Sequence, residues 1–264
     1  RFAASQDETN KNAQRLLTSL RYFEATGRYA KHLGHANMRF RNIMFNGKVF
    51  ISKDKIREIY YSFNNNYKLG NRLDGTKEEL INHRVSTEMR SKWVEERVQS
   101  LSKEELDTLF ANEPREFESD DKEFKFLARK IVMQAFEPIK RAINHNQWLN
   151  INGQYLHLLR VTPKLVNLAD YGLMADQWQA FVDQTKEGLK KRQISATGIT
   201  IYLYLYDLIT GKHGQRDIRY VFVDEVQDYD PYQLAYLKFR FPRAKFTLLG
   251  DLNQAIFTHE NSKS

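Results

Sequence analysis

The sequence predicts an α/β protein in which a short parallel sheet accompanies a large, mainly helical segment. Two apolar runs near the end of the chain, Tyr220–Val223 and Phe246–Leu249, have the β-branched and aromatic character of strands that are buried on both faces. Between them, Pro231–Arg240 places apolar residues at helical spacing. A strand, a helix and a strand in this order predict a right-handed βαβ unit with parallel strands.

The chain before this unit has helical spacing of its apolar residues, except for one stretch where apolar and polar residues alternate as in a strand. Leucine and aromatic residues recur at helical steps over residues 8–33, which predicts a helix or a helix pair with Gly27 as its break. The Asn-Gly pair at 46–47 lies between alternating apolar runs, which predicts a hairpin with a type I′ turn. From Ser52, a candidate N-cap, to about Gln193 the pattern is helical almost throughout.

Capping signals predict boundaries within this helical segment. Thr76 and Ser102 each precede a glutamate by three residues, so each is predicted to open a helix as part of a capping box. The Asn-Gly pair at 152–153 predicts a turn, and the Thr-Pro pair at 162–163 predicts a helix start. Residues 194–211 fit an alternating strand and an apolar helical stripe about equally well.

Composition excludes several classes of protein. The 264 residues include no cysteine, which excludes disulfides and thiolate zinc sites and favours a reducing compartment, so we expect a cytoplasmic location. No run approaches the roughly 18 apolar residues of a membrane span, so no membrane partner is expected. His32 and His35 lack the companions of a metal-ligand motif and are interpreted as surface or packing residues.

The formal net charge of +8 is unevenly distributed. Residues 220–264 contain six acidic and five basic side chains, so the remaining residues carry a net charge of +9. This excess could meet a polyanion or an acidic partner surface, or it could be an ordinary solvated surface. Composition alone leaves both interpretations open.

Carboxylates follow both predicted strands at the point where each strand ends. Asp224 and Glu225 follow the first strand, and Gly250 and Asp251 follow the second. Ligands of parallel sheets bind at the carboxyl ends of the strands. Asp224 could hold magnesium directly or through water, and Glu225 could orient and deprotonate a water that attacks a γ-phosphate. Gln254 is an uncharged donor and acceptor that could sense this phosphate.

Two motifs in this region resemble those of superfamily 1A helicases, the UvrD/Rep-like group. V-D-E-V-Q-D at 223–228 resembles motif II, and G-D-L-N-Q-A-I-F at 250–257 resembles motif III, 22 residues further along the chain. Leu252 and Asn253 stand where many members of the group carry acidic residues. In this respect the chain is similar to the helicase IV-like branch, which acts on bacterial RNA polymerase.

The resemblance implies ATP and Mg²⁺ as cofactors and assigns roles to individual residues. Asp224 would be the Walker B magnesium carboxylate and Glu225 the catalytic base. Phe257 lies where the group often has an aromatic side chain near a nucleic-acid base. Three residues would link the nucleotide to the nucleic-acid side: Gln227, Asp228 and Gln254. Two further residues would belong to the nucleotide site: Gly250 and Asp251.

The resemblance also implies a fold, a fragment of a RecA-like P-loop NTPase core interrupted by a helical insertion. Residues 1–38 and 194–264 would belong to motor domain 1A, and residues 39–193 would form a mainly helical insertion with an N-terminal hairpin. A helix over 194–211 is then favoured. No G-x-x-x-x-G-K-[ST] pattern occurs in the chain, so that loop is expected upstream of Arg1 and the remaining motor domains after Ser264. We expect the isolated chain to fold without tight ATP binding or ATPase activity.

The implied function of the parent protein is ATP-dependent translocation on, or remodelling of, nucleic-acid complexes, with DNA as the expected nucleic acid. One alternative is an ATPase that binds and remodels RNA polymerase without true unwinding. Another is a chain that acts only as a protein or nucleic-acid binding module. Single-strand binding with a steep salt dependence would favour the first function, and binding to polymerase without nucleic acid would favour the second.

Overall fold

The computed structural model describes residues 2–111, 116–212 and 214–250. The helices in chain order are α1 (Phe2–Leu17), α2 (Leu20–His32), α3 (Lys53–Tyr60), α4 (Leu69–Glu88), α5 (Lys92–Gln99), α6 (Lys103–Leu109), α7 (Asp120–Ala135), α8 (Glu137–Asn144), α9 (Ile151–Leu165), α10 (Ala175–Lys190), α11 (Ala196–Thr210) and α12 (Pro231–Arg240). The strands are β1 (Ile43–Phe45), β2 (Lys48–Ile51), β3 (Tyr220–Val223) and β4 (Lys245–Leu248).

The chain divides into two compact units. The first consists of Arg1–Arg39, Asn65–Asn71 and Ile151–Ser264, and the second of Phe40–Asn64 and Arg72–Asn150. The first unit contains the β3–β4 pair, and the second contains the β1–β2 hairpin. None of the helices in the described ranges is long and apolar enough to cross a membrane.

The core of the first unit is built around α2, which contacts α9, α11 and α12. Phe23 of α2 stacks on Tyr204 of α11, with ring centroids 4.3 Å apart, and meets Tyr232 of α12 edge-on at 5.4 Å. The buried Tyr232 hydroxyl donates to Thr26 Oγ1 at 3.1 Å. Burial raises the pKa of Tyr204 to about 12, so this phenol stays neutral in the core.

The second unit begins with the predicted hairpin. β1 and β2 pair antiparallel, and Asn46 and Gly47 both have positive φ, at 51° and 76°. These angles are those of a type I′ turn, which confirms the turn inferred from the Asn-Gly pair. Beside the hairpin, the ring of Trp148 stacks on Phe40 at 5.8 Å, and α5 and α7 pack against each other.

The predicted order of strand, helix and strand and the parallel pairing of the strands are confirmed. β3 and β4 pair in parallel, with Tyr220 opposite Lys245 and Val223 opposite Leu248. The predicted second strand, Phe246–Leu249, is shifted by one residue toward the C-terminus relative to β4. α12 spans the predicted residues, and its N-cap is Asp230, whose side chain accepts a hydrogen bond from the Gln233 backbone N–H at 2.7 Å.

The expectation that both strands are buried on both faces is wrong for the described chain. Phe222 is 70% exposed and Tyr220 is 67% exposed, whereas Val223 is only 3% exposed. Within the described residues β3 and β4 form a sheet of two strands. Two strands have too few neighbours to cover both faces of a sheet.

Several helix boundaries inferred from capping signals are wrong. Thr76 lies inside α4, where its buried hydroxyl donates to Arg72 O at 2.8 Å. The pairs at 152–153 and 162–163 both lie inside α9, where Thr162 Oγ1 is 2.8 Å from the buried Tyr22 hydroxyl. Gly27 lies inside α2. At Thr76 and Thr162, which are both 0% exposed, burial outweighs local propensity.

Other predicted boundaries are confirmed. The side chains of Ser52 and Ser102 accept from the backbone N–H groups of Lys55 and Glu105, so they cap α3 and α6. Residues 196–210 form α11, which ends at Gly211 with a φ of 73°. The helix, rather than the strand, is therefore the structure of this ambiguous stretch, and its C-cap uses the left-handed conformation that glycine adopts without strain.

A buried carboxylate joins α11 to α12. Asp207, 5% exposed, accepts from the Tyr236 hydroxyl at 2.7 Å and from Arg240 Nη1 at 3.2 Å. Burial, followed by the hydrogen bond to Asp207, raises the pKa of Tyr236, so the phenol remains the donor. This contact fixes the helix that connects β3 to β4.

The Asp207→Ala variant should therefore lower the free energy of unfolding by about 2–3 kcal/mol, because two hydrogen bonds to a charged acceptor are lost. Urea denaturation measures the effect. Asp54→Ala is the matched control, since Asp54 is 81% exposed and pairs with Arg57 at the surface. The control should change stability by less than about 1 kcal/mol. Equal losses in the two variants would contradict an anchoring role for Asp207.

Candidate functional site

The predicted acidic segment and the glycine after β4 lie at one edge of the β3–β4 pair. Because the strands are parallel, the segments that leave their carboxyl ends emerge side by side. Leu249 N–H donates to Val223 O at 2.8 Å, and Val226 N–H donates to Leu249 O at 2.9 Å. These bonds fasten the segment that follows β3 to the residues after β4, so Asp224, Glu225 and Gly250 share this edge.

Glu225 has an unusual backbone conformation. Its φ of 51° and ψ of 47° lie in the left-handed region, which is uncommon for residues other than glycine. Two hydrogen bonds hold it there: Glu225 N–H donates to Asp224 Oδ1 at 2.9 Å, and Asp228 N–H donates to Glu225 O at 2.9 Å. A held, strained residue at the end of a strand is typical of functional sites.

The side chains at this edge are accessible. Asp224, Glu225 and Asp228 are exposed, and Gln227 is half-buried. Gln227 Nε2 donates to Glu225 Oε2, so the amide orients the carboxylate. The site thus presents two adjacent carboxylates to solvent, one of them held by a neighbouring amide.

Gly250 allows the β4 end to approach the segment after β3 closely. A Cβ at this position would lie 2.7 Å from Val226 Cγ1 and 3.2 Å from Val226 N, and would collide with Gln227 Oε1. Any side chain at position 250 must therefore displace Val226 and Gln227. Because Gln227 contacts Glu225, the packing at Gly250 is coupled to the position of that carboxylate.

The segment that carries the carboxylates is fixed to the helical core on its other side. Tyr232, two residues after the N-cap of α12, is 1% exposed, and its backbone N–H donates to Thr18 O at 3.1 Å. Burial raises the pKa of Asp230, an effect that the backbone N–H groups of Gln233 and Tyr232 oppose. The start of α12 is therefore fixed to the segment between α1 and α2.

Three of the predicted site residues lie outside the described residues: Asp251, Gln254 and Phe257. Their roles stay predictions. Of the predicted set, the structure brings together Asp224, Glu225, Gln227, Asp228 and Gly250.

A magnesium site at this edge can be tested against the donor set. No group of three or more His, Cys, Asp or Glu side chains that could hold a metal occurs in the part of the chain that the structure describes. Magnesium binds through one or two carboxylates together with waters and substrate phosphates. The exposed pair of Asp224 and Glu225 fits such a shared site and does not form an all-protein cage.

Sequence reasoning missed two residues that support the site. Asp207 could have been found, because it is the one charged residue of α11. Val226, which meets Gly250, has no sequence signal of its own, since its role depends on the approach of β4.

The comparisons with known proteins concern the chain as a whole. The family model of the UvrD/REP helicase N-terminal domain matches residues 63–264, which is more than half of the chain. The matched region includes β3, β4 and both acidic segments. None of the curated proteins matches the chain.

Proposed function

Because the chain belongs to the UvrD/REP helicase family, we propose that its parent protein is an ATP-hydrolysing motor that translocates on or remodels nucleic-acid complexes. The family membership assigns the chain to superfamily 1 and implies a RecA-like helicase fold. One observation carries the proposal to individual residues: an exposed carboxylate pair follows β3 at the carboxyl edge of a parallel strand pair, where such sheets bind ligands.

In the proposed mechanism the two carboxylates have different tasks. Asp224 would hold Mg²⁺, which, when bound, neutralises charge on the phosphate oxygens of ATP. Glu225 would take a proton from the attacking water, and Gln227 would keep the Glu225 carboxylate oriented. General-base assistance of this kind contributes about 10²- to 10⁴-fold to the rate.

The remaining proposed roles surround this pair. Gly250 and Asp251 would line the nucleotide site, and Asp228 and Gln254 would connect it to the nucleic-acid side. Phe257 would lie near a base. The domain boundaries stay part of the proposal, with residues 1–38 and 194–264 in motor domain 1A and residues 39–193 as the insertion.

A second candidate function is an ATPase that binds and remodels RNA polymerase without unwinding nucleic acid. Leu252 and Asn253 favour it, because they stand where many superfamily 1A helicases have acidic residues and are similar to the helicase IV-like branch. A pull-down of the parent protein with RNA polymerase after nuclease treatment separates the candidates. Complex formation without nucleic acid supports the second function.

The coupling role of Gln254 is tested by the ATPase activity of the intact parent protein with and without single-stranded DNA. Gln254→Ala should lower the DNA-stimulated ATPase rate more than the basal rate. The reason is that the amide would contact the γ-phosphate and couple its presence to the nucleic-acid side. The exposed Gln99 provides the control, and Gln99→Ala should leave both rates unchanged. Equal loss of basal and stimulated rates would assign Gln254 a structural role. If nucleic acid did not change the ATPase rate of the parent protein, the proposed motor function would be contradicted.

A further inference from the structure

We propose that one face of α9 in the first unit binds the phosphate backbone of a nucleic-acid strand, an inference that rests on the proposed function for its choice of polyanion. This surface, called here the basic face of α9, consists of Arg28, Arg39, His157, Arg160 and Lys164. It is separate from the carboxylate edge of β3, which would repel phosphates that are not neutralised by a metal ion.

The centre of the basic face is a stripe along α9. His157, Arg160 and Lys164 occupy positions i, i+3 and i+7, so they lie one above another on one side of the helix. Arg160 and Lys164 are exposed, and His157 is half-buried. The stripe is about 10 Å long at ~1.5 Å per residue. Since phosphates of one strand lie ~3.4 Å apart along the axis of a duplex, a stripe of this length can contact more than one phosphate of a strand.

Two arginines extend the stripe at its ends. The backbone N–H of Arg39 donates to Gln154 Oε1 at 2.8 Å, which places Arg39 beside the first turn of α9. Arg28 Nη2 donates to Leu165 O at 3.2 Å, which places this guanidinium at the C-terminal end of the helix. The basic face therefore follows the full length of α9.

Negative charge is scarce on the elements that carry these cations. The neighbouring helix α10 carries Asp176, Asp183 and Glu187, and none of the three pairs with the basic face among the described residues. α9 and the segment 33–39 contain no carboxylate, and α2 contains one, Glu24. Among the described residues, none of the four Arg and Lys side chains of the basic face forms an ion pair. Like charges four residues apart, such as Arg160 and Lys164, destabilise a helix. An anionic ligand would offset this repulsion.

Arg39 and His157 show where an anion would be stabilised on this face. Arg39 Nε is buried and has no hydrogen-bond partner among the described residues. Most buried polar side-chain atoms in native structures have such a partner. His157 Nδ1 is 2.7 Å from the Tyr29 hydroxyl. Its pKa is lowered, first by burial and then by Arg39, Arg160 and Lys164, so three cations act on a single imidazole. The local field favours an anion.

The test measures the anisotropy of a labelled oligo-dT strand of about 20 nucleotides, longer than the site of one common single-strand-binding fold, as the chain is titrated in. Each phosphate contact in a single strand changes log K by about −0.7 per log unit of salt. Removing two contacts with Arg160→Ala/Lys164→Ala should therefore make the salt slope shallower by about 1.4 and weaken binding roughly tenfold at 0.15 M salt.

The matched control is Lys122→Ala/Lys125→Ala on α7, which removes the same charge. Both of these lysines are exposed and already pair with acidic side chains, Glu118 and Asp121. The control should retain the wild-type affinity and salt slope. Equal weakening in both double variants would reduce the effect to net charge and overturn the proposal. The proposal would also be overturned if poly-L-glutamate displaced the labelled strand from the chain as effectively as unlabelled oligo-dT does.

Circular dichroism of each variant checks folding, and Arg160→Gln, which keeps a polar side chain, replaces the double variant if the latter unfolds.

The outcome is distinguishable from failure of the proposed function. In the parent protein, the α9 variant should retain basal ATPase, since none of its residues belongs to the carboxylate edge. Loss of oligo-dT binding with basal ATPase retained supports the basic face alone. If the parent protein lacks ATPase activity but the α9 face still binds oligo-dT, the proposed motor function is contradicted. The proposal for the basic face is then still supported.

Discussion

Replacing Glu225 with glutamine in the intact parent protein is expected to reduce ATP turnover at least ~100-fold while ATP still binds. The reason is chemical: the amide has the size of the carboxylate and can still accept a hydrogen bond from Gln227, but it cannot take a proton from water. The backbone of Glu225, held at a φ of 51°, is not changed by this substitution. A steady-state phosphate-release assay and a binding titration with labelled ATP measure the two quantities separately.

Glu58→Gln is the control for this experiment, because Glu58 is 71% exposed and pairs with Lys55 at the surface. Its turnover should equal that of the unmodified protein. Near-normal turnover in Glu225→Gln would remove Glu225 from the mechanism. Loss of ATP binding together with turnover would instead assign Glu225 to nucleotide binding.

Gly250→Ala is expected to lower ATP turnover by about 10- to 100-fold, although it adds only a methyl group. The new Cβ would lie 2.7 Å from Val226 Cγ1 and would collide with Gln227 Oε1, so the segment that orients Glu225 must move. A displacement of about 1 Å at a catalytic group can cost ~100-fold in rate. The same phosphate-release assay on the parent protein measures this loss.

Gly27→Ala is a matched control within α2. Its Cβ would lie 3.5 Å from the Tyr204 hydroxyl, an ordinary contact, and alanine favours the helical conformation more than glycine does. Turnover should be unchanged in this variant. If Gly250→Ala also turned over normally, the close approach of β4 would not control the position of Glu225. Thermal unfolding of both variants separates a local displacement from loss of the fold.

The parallel strand pair shows which part of the fold local sequence specifies. The run Tyr220–Val223, the helix Pro231–Arg240 and the second strand were all predictable, since each has its own apolar pattern and turn residues. The exposure of Tyr220 and Phe222 was not, because burial depends on which other elements cover the sheet. The same pattern therefore predicts the strand correctly and its environment wrongly.

The helix α9 shows the opposite case. Its interior contains an Asn-Gly pair and a Thr-Pro pair, and each by itself predicts a boundary. In the structure Thr162 is 0% exposed and hydrogen-bonds to Tyr22 of α2, while Gln154 contacts Tyr29 and Asn37. These contacts join residues more than 100 positions apart, and no local window of sequence contains them.

The chemistry of the carboxylate edge follows the same division. The sequence by itself determined which groups are the candidates for catalysis, since Asp224 and Glu225 directly follow a strand and their spacing from Gly250 resembles that of two motifs. Only the tertiary structure decided that Gly250 meets Val226 and Gln227, that Asp207 anchors α12, and that Arg39 lies close to the cations of α9. The physical reason is range: strand, turn and capping preferences act between residues a few positions apart, whereas packing and electrostatic fields depend on distance in space.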